Sequence, residues 1–372
     1  YCVGNEITDT GLPHGALLCK AITSEFKSLD TSRPVTIANN VLLSVMAKNM
    51  AEKKTKEAAK VEEQSAVEKQ KAGECEKTEE KNVGSQDVNN VLTLLPKIMA
   101  SITAENQEEL LKGVFESVDI VGYNYGETWY EKTHEMVPNR VFLSSETFPC
   151  KIGSNWKRVE ENDYLIGDFM WTAWDYLGEA GVGLPFYGSA QAPFSKEYPC
   201  LTAGCGCVDL TGYVESQGYY TSVVFGTYRK PYIGVRPVDH AGEEYTVGRW
   251  RLTDAVNSWT WPGQEGKTAE IEVYSIGVEV ELYQDGVSLG RKSLEECRAF
   301  YQAEYRPGKL TVISYEENGA EIGRESLVTA KETERLTLVP EEHVMKADGE
   351  DLVYVNIQIT DDDGIVKLLK DR

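Results

Sequence analysis

The chain has 372 residues, with 38 Lys and Arg against 60 Asp and Glu, for a formal net charge of −22. At roughly 100–200 residues per domain this is room for two or three domains, and a hydrophobic content of 41% excludes wholesale disorder. No stretch approaches the ~18 apolar residues of a membrane span. The acidity argues against nucleic acid, whose phosphates need clustered Lys and Arg.

Taken in chain order, buried-type apolar runs at 2–5, 34–39, 119–125, 141–146 and 165–171 read as strands. Helical patterns lie at 16–29, 88–101, 107–117, 155–162 and 213–226. Strands alternating with helices predict parallel βα units. The runs are continuous, as in strands covered on both faces. Between 47 and 82 about half the residues are Lys or Glu of mixed order, which reads as a solvated helix or excursion, with a partner-binding helix as the alternative.

After Pro231 the pattern changes class. Short strands are expected at 250–252, 268–273, 278–283, 299–305 and 309–315, with Asp285-Gly286 as a hairpin turn. Up to about Ala330 this reads as a β-sandwich. LTLVP from Leu336 and LVYVNIQIT from Leu352 begin a further unit with too few strands to close. That unfinished end and an opening without Met suggest a piece of a longer polypeptide.

Eight cysteines are too sparse for a disulfide scaffold. Cys200, Cys205 and Cys207 cluster, but a zinc site would want Cys-x2-Cys pairs or nearby His, and His14, His134, His240 and His343 are all distant in sequence. Reduced thiols are expected, which favours a cytoplasmic location.

Two glutamates end predicted parallel strands: Glu6 in Gly4-Asn5-Glu6 and Glu146 in VFLSSE. In a parallel barrel, polar residues at that end face the active site. Two carboxylates in one pocket are the minimum apparatus of glycoside hydrolysis. Among 60 acidic residues many pairs exist, so the neighbours matter. Residues 165–179, LIGDFMWTAWDYLGE, bring Trp171, Trp174 and Asp175 to one strand end. Rings there suit stacking on a sugar, and carboxylates suit its hydroxyls; barrel core is the competing reading. Tyr125 ends another strand, where its phenol could hydrogen-bond a carboxylate.

The motifs SETFP, NW and GDFMWTAWDYLGEAG, with upstream GNEI and DIVGYNY, resemble the β-galactosidase branch of glycoside hydrolase family 2, from Tyr1 to about Ala330. The resemblance implies a multidomain α/β plus all-β chain: the C-terminal part of a (β/α)8 TIM barrel (1–231, with 47–82 a charged excursion), an immunoglobulin-like β-sandwich (232–330), and the truncated start of a second one (331–372). It implies that Glu6, after Asn5 on the fourth barrel strand, is the acid/base and that Glu146, on the seventh, is the nucleophile. Tyr125 would stand beside the nucleophile, Trp171 would stack on the glycone, Asn5 would contact the 2-hydroxyl, and Asp175 would bind a hydroxyl. A terminal β-galactoside would then be hydrolysed with retention through a covalent glycosyl-enzyme.

Departures from the family pattern add further expectations. The first three barrel strands and the N-terminal domains are missing, so the isolated chain is expected to be inactive unless complemented. No cofactor is required; a Mg2+ or Na+ beside the acid/base would take its other ligands from upstream, so the metal stays open, as does a homo-oligomer. β-Glucuronidases of the family place Asn-x-Lys after the eighth strand, whereas Asn155-Trp156-Lys157 precedes Trp171 here, so β-galactoside leads. A non-catalytic carbohydrate-binding or scaffold fragment is the reading from another class.

Overall fold

The computed structural model describes residues 1–68, 102–188 and 196–368 and divides into two units, Tyr1–Trp171 and Thr172–Arg372. In the first unit β1 (Cys2–Asn5), β2 (Thr36–Asn39), β3 (Ile120–Asn124), β4 (Val141–Thr147) and β5 (Leu165–Met170) form one sheet in sequence order. Every neighbouring pair is parallel.

Parallel neighbours need a crossover, and the helices supply it. Helix α1 (Pro13–Leu29) joins β1 to β2, and α2 (Val41–Glu68) and α3 (Ala104–Phe115) lie between β2 and β3. Helix α4 (Tyr130–Met136) precedes β4, and α5 (Ile152–Glu161) precedes β5. Pro13 opens α1, where its missing N–H has no intrahelical partner to lose. Thr103 caps α3 by accepting from the Asn106 N–H at 3.2 Å.

The core of this unit joins Ile37, Val121 and Phe142 on the strands to Leu111, Val114 and Phe115 on α3. Each such side chain contributes about 1.5–3 kcal/mol on full burial. On β5, Ile166 and Phe169 stay exposed. Among the described residues β1 and β5 are edges with one neighbour each. The charged run enters α2 up to Glu68; its remainder, and the helix expected at 88–101, lie outside the described residues. No described helix is long and apolar enough to cross a membrane.

The second unit begins with the short strand β6 (Phe186–Tyr187), helix α6 (Ser216–Val224), β7 (Tyr232–Val235) and β8 (Tyr245–Thr246), the last antiparallel to β6. There follow β9 (Thr268–Tyr274), β10 (Glu279–Gln284), β11 (Val287–Ser293), β12 (Arg298–Glu304), β13 (Lys309–Tyr315) and β14 (Glu321–Val328). Two antiparallel sheets, β11-β10-β13-β14 and β12-β9-β7, share one core. Val280, Leu282, Leu310 and Val312 come from the first, and Ile233, Ile271, Val273 and Tyr301 from the second. Buried residues alternate along β12 and β13, as strands with one covered face require. Asp285 and Gly286, at φ 49° and 81°, make the two-residue β10–β11 turn.

Five described strands, β6, β7, β8, β11 and β14, escape the sequence pattern, and one expected strand is absent. β11 and β14 are the edges of the four-stranded sheet, and their polar faces carry little alternation. Residues 250–252 are not a strand. Arg251 is buried there, its guanidinium donating to the carbonyls of Thr253 at 2.7 Å and Gly204 at 2.9 Å and pairing with Glu215. Those bonds hold the segment in an irregular path. Residues 172–231 contact the sandwich segment: the Ser216 hydroxyl donates to the Ala255 carbonyl at 2.6 Å, and Tyr220 to that of Glu296 at 2.9 Å. Last, β15 (Arg335–Pro340) and β16 (Val355–Thr360) pair as a separate hairpin, with Leu336, Leu338 and Ile357 exposed.

Candidate active site

The C-terminal ends of β1, β3 and β4 converge. Glu6 follows the last residue of β1, and its N–H donates to the Ala38 carbonyl at 2.9 Å. Asn124 ends β3 in register with Glu146 on β4. Tyr125 follows, its N–H donating to the Glu146 carbonyl at 2.7 Å. Glu6 and Tyr125 have left-handed backbones, φ 52° and 56°. In a non-glycine residue that conformation costs about 1–2 kcal/mol, and such strain gathers at functional sites.

The side chains form one network. Glu146 accepts from the Tyr125 phenol on Oε1 and from Asn124 Nδ2 on Oε2 at 3.0 Å. Glu6 accepts on Oε1 from Asn40 Nδ2 at 2.8 Å and from Asn124 Nδ2 at 3.1 Å. The same Asn124 nitrogen lies 2.9 Å from Asn5 Oδ1. The Ser145 hydroxyl donates to Asn124 Oδ1 at 2.8 Å, which fixes the amide with its nitrogen toward the carboxylates. Two carboxylate oxygens that touch one nitrogen cannot be farther apart than the two distances combined, 6.1 Å.

The two glutamates differ in how their donors are placed. Both oxygens of Glu146 receive donors, which favours a carboxylate. Glu6 has both amide donors on Oε1, so a proton on that oxygen would face two N–H groups, and Oε2 is the oxygen suited to carry it. Phe148 stacks on Tyr125 with centroids 4.2 Å apart. Behind Glu146, the Thr147 hydroxyl donates to Asp168 Oδ2 at 3.0 Å, and burial pushes the Asp168 carboxyl up to about 7.

Of the six residues expected at the site, Asn5, Glu6, Tyr125 and Glu146 come together. Trp171, 37% exposed, is tied to the same strand end by its N–H to the Thr147 carbonyl at 3.0 Å. Asp175 is placed differently. It lies in the second unit, buried, with its carboxylate accepting from the N–H groups of Gly204 at 3.0 Å, Cys205 at 3.3 Å and Gly206 at 3.4 Å. It braces that loop. Asn124, Asn40 and Phe148 were not anticipated. The Asn-Tyr pair ending DIVGYNY and the Asn that follows PVTIAN are the signals that could have marked the first two.

Among the described residues no group of three or more His, Cys, Asp or Glu is placed to hold a metal ion. Cys200, Cys205 and Cys207 are thiols without a disulfide. Burial pushes Cys205 up to about 12 and Cys207 up to about 11, so neither is a thiolate nucleophile near neutrality.

A domain of unknown function (DUF4982) matches residues 266–323, within the sandwich. The chain is 25% identical over 301 residues to β-galactosidase BoGH2A of Bacteroides ovatus, covering 76% of this chain and 29% of that protein. A Formosa agariphila protein provisionally named as a β-glucuronidase is 27% identical over 203 residues, 52% of this chain and 16% of its own length. A solved structure of a glycosyl hydrolase family 2 member from Bacteroides cellulosilyticus matches 98% of this chain with a TM-score of 0.72 and 26% identity. The chain spans 39% of that structure, so each of these relatives is much the longer.

Proposed function

The chain is a relative of glycoside hydrolase family 2, and on that premise we propose that it carries the catalytic pair of a retaining β-glycosidase, with Glu146 as nucleophile and Glu6 as acid/base. The observation that carries the reading is the single Asn124 amide nitrogen touching both carboxylates. Their bridged oxygens lie no more than 6.1 Å apart, against about 5–5.5 Å between carboxyls in retaining enzymes and about 6.5–9.5 Å in inverting ones. Glu146 attacks the anomeric carbon as the bond to the leaving oxygen breaks, and that oxygen takes the proton from Glu6. Glu6 then removes a proton from water, whose oxygen displaces Glu146 from the sugar. Tyr125 keeps Glu146 ionised, Trp171 offers its ring to the glycone, and Asn5 offers its amide to the 2-hydroxyl. Asp175, with its oxygens taken by loop amides, shapes the second unit.

The preferred glycone is β-galactoside, as in the name of the Bacteroides ovatus relative. β-Glucuronide is the second reading, carried by the Formosa agariphila relative; against it, residues 172–231 contain no Asn-x-Lys. The two sheet edges without a second neighbour and the greater length of the relatives support a barrel completed by further chain. In that reading 1–231 is the later part of a TIM barrel, 232–330 an immunoglobulin-like sandwich and 331–372 the start of another. We place the enzyme in the cytoplasm on its sparse cysteines.

Turnover of p-nitrophenyl β-galactoside and β-glucuronide by the full-length polypeptide, wild type and Glu146→Gln, tests the reading. Loss of turnover with sugar binding retained supports it. Unchanged turnover removes Glu146 from the mechanism and favours a binding or scaffold role.

A further inference from the structure

We propose that Asn124 is the positioning residue that couples the two carboxylates, lending its amide hydrogens to whichever of them is charged. The inference rests on the retaining reading above and goes beyond it, since that reading assigns Asn124 no part in the steps.

The argument begins with a shortage. Nδ2 carries two hydrogens and faces three acceptors: Asn5 Oδ1 at 2.9 Å, Glu146 Oε2 at 3.0 Å and Glu6 Oε1 at 3.1 Å. The amide is 1% exposed and held on its other side by Ser145, so it cannot turn away to bond elsewhere. At any moment one of the three goes without a full hydrogen bond from this amide, and a charged acceptor takes the stronger one.

The reaction moves the charge between two of these acceptors. Before attack, Glu146 is anionic and Glu6 protonated. When a Glu146 oxygen bonds the anomeric carbon, the electron pair of the broken glycosidic bond goes to the leaving oxygen, which takes the Glu6 proton. Glu146 becomes a neutral ester and Glu6 the anion. Charge thus passes from the oxygen bonded to Nδ2 at 3.0 Å to the one at 3.1 Å. The amide follows it by a small tilt of its plane about the Ser145 bond, with no movement of the strands.

Removing the amide therefore removes a donor from the ionised form of both glutamates. Among the described contacts, Tyr125 after β3 is the titratable group bonded to Glu146, and Asp168 on β5 is bonded by the hydroxyl of Thr147, the residue next to Glu146. A carboxylate that loses a donor gives up its proton only at higher pH, so both limbs of the bell-shaped kcat/KM profile move to higher pH.

The test is the pH profile of p-nitrophenyl β-galactoside hydrolysis by the full-length polypeptide carrying Asn124→Ala or Ser145→Ala. The first is expected to move both limbs up by about one to two pH units, the worth of a hydrogen bond to a charged group. The second frees the amide and is expected to move them the same way by less. A melting curve checks folding, and if Asn124→Ala does not fold, Ser145→Ala carries the decision. Rates that fall while both limbs stay in place overturn the coupling. The Glu146→Gln control separates the two failures: if it retains turnover the retaining reading has failed, and if it is dead while the limbs stay fixed only the coupling has. A wild type that turns over neither glycoside overturns both.

Discussion

Tyr125 holds Glu146 at two points: its N–H donates to the Glu146 carbonyl at 2.7 Å, and its phenol donates to the carboxylate of the same residue. The backbone bond sets where the phenol starts, and the left-handed φ of 56° turns the side chain out of the strand toward it. The stack on Phe148 limits the ring to that approach.

Tyr125→Phe keeps the backbone bond and the stack but removes the donor. A hydrogen bond to a charged group is worth about 1.5–3 kcal/mol, so kcat/KM of the full-length enzyme is expected to fall about 10- to 150-fold. The acidic limb should move to higher pH, with little change in melting temperature. Profiles and melts of the two proteins check this, and an unmoved limb would detach Tyr125 from the ionisation of Glu146.

The geometry bears on stereochemistry. The proposed retaining mechanism predicts the product, with the bridged carboxylate oxygens at most 6.1 Å apart as its support. Proton NMR of fresh hydrolysate is expected to show the β-anomer first, with the α-anomer growing only by mutarotation. An initial α-anomer would contradict the assigned roles.

Asp168 makes stability depend on pH. Burial raises its carboxyl to about 7 in the folded chain, against ~3.9 unfolded. The native state therefore holds a proton that the unfolded state has released, and this contribution is full below about pH 4. It is lost as pH rises toward 7, by up to ~4 kcal/mol. Asp168→Asn removes the dependence. Melting temperatures recorded from pH 4 to 8 are expected to fall less steeply in the variant, and parallel curves would exclude the effect.

The Asp175 carboxylate accepts from three loop N–H groups, and its expected role is in stability. Replacing it with Ala leaves the buried N–H groups of Gly204, Cys205 and Gly206 without their acceptor. Each unsatisfied group costs about 1–3 kcal/mol, so the melting temperature should drop by several degrees. KM of the fraction that folds is expected to change little. A large rise in KM at unchanged stability would return Asp175 to the sugar.

Much of this protein is legible along the chain. Runs of apolar residues broken by capped helices already specify β1 to β5 and their parallel order, because a buried strand and an amphipathic helix each leave their own period. Glu6, Tyr125 and Glu146 are legible as polar residues that end such strands. The edge strands β11 and β14 are not, since a half-exposed strand needs few apolar residues. Residues 250–252 read as a strand and are not one, because Arg251 is held by partners at Gly204 and Glu215 that lie dozens of residues away.

By itself, then, the sequence determined the strands of the parallel sheet and the candidate acids, since those follow from local periodicity and residue chemistry. Only the tertiary structure decided what the acids touch. The meeting of Asn5, Glu6, Asn124 and Glu146 depends on strand register and on two backbone turns with positive φ. The retreat of Asp175 into its loop depends on three amides at positions 204–206. Hydrogen bonds reach about 3 Å whatever the separation in the chain, and only folding brings residues 5 to 146 within that reach.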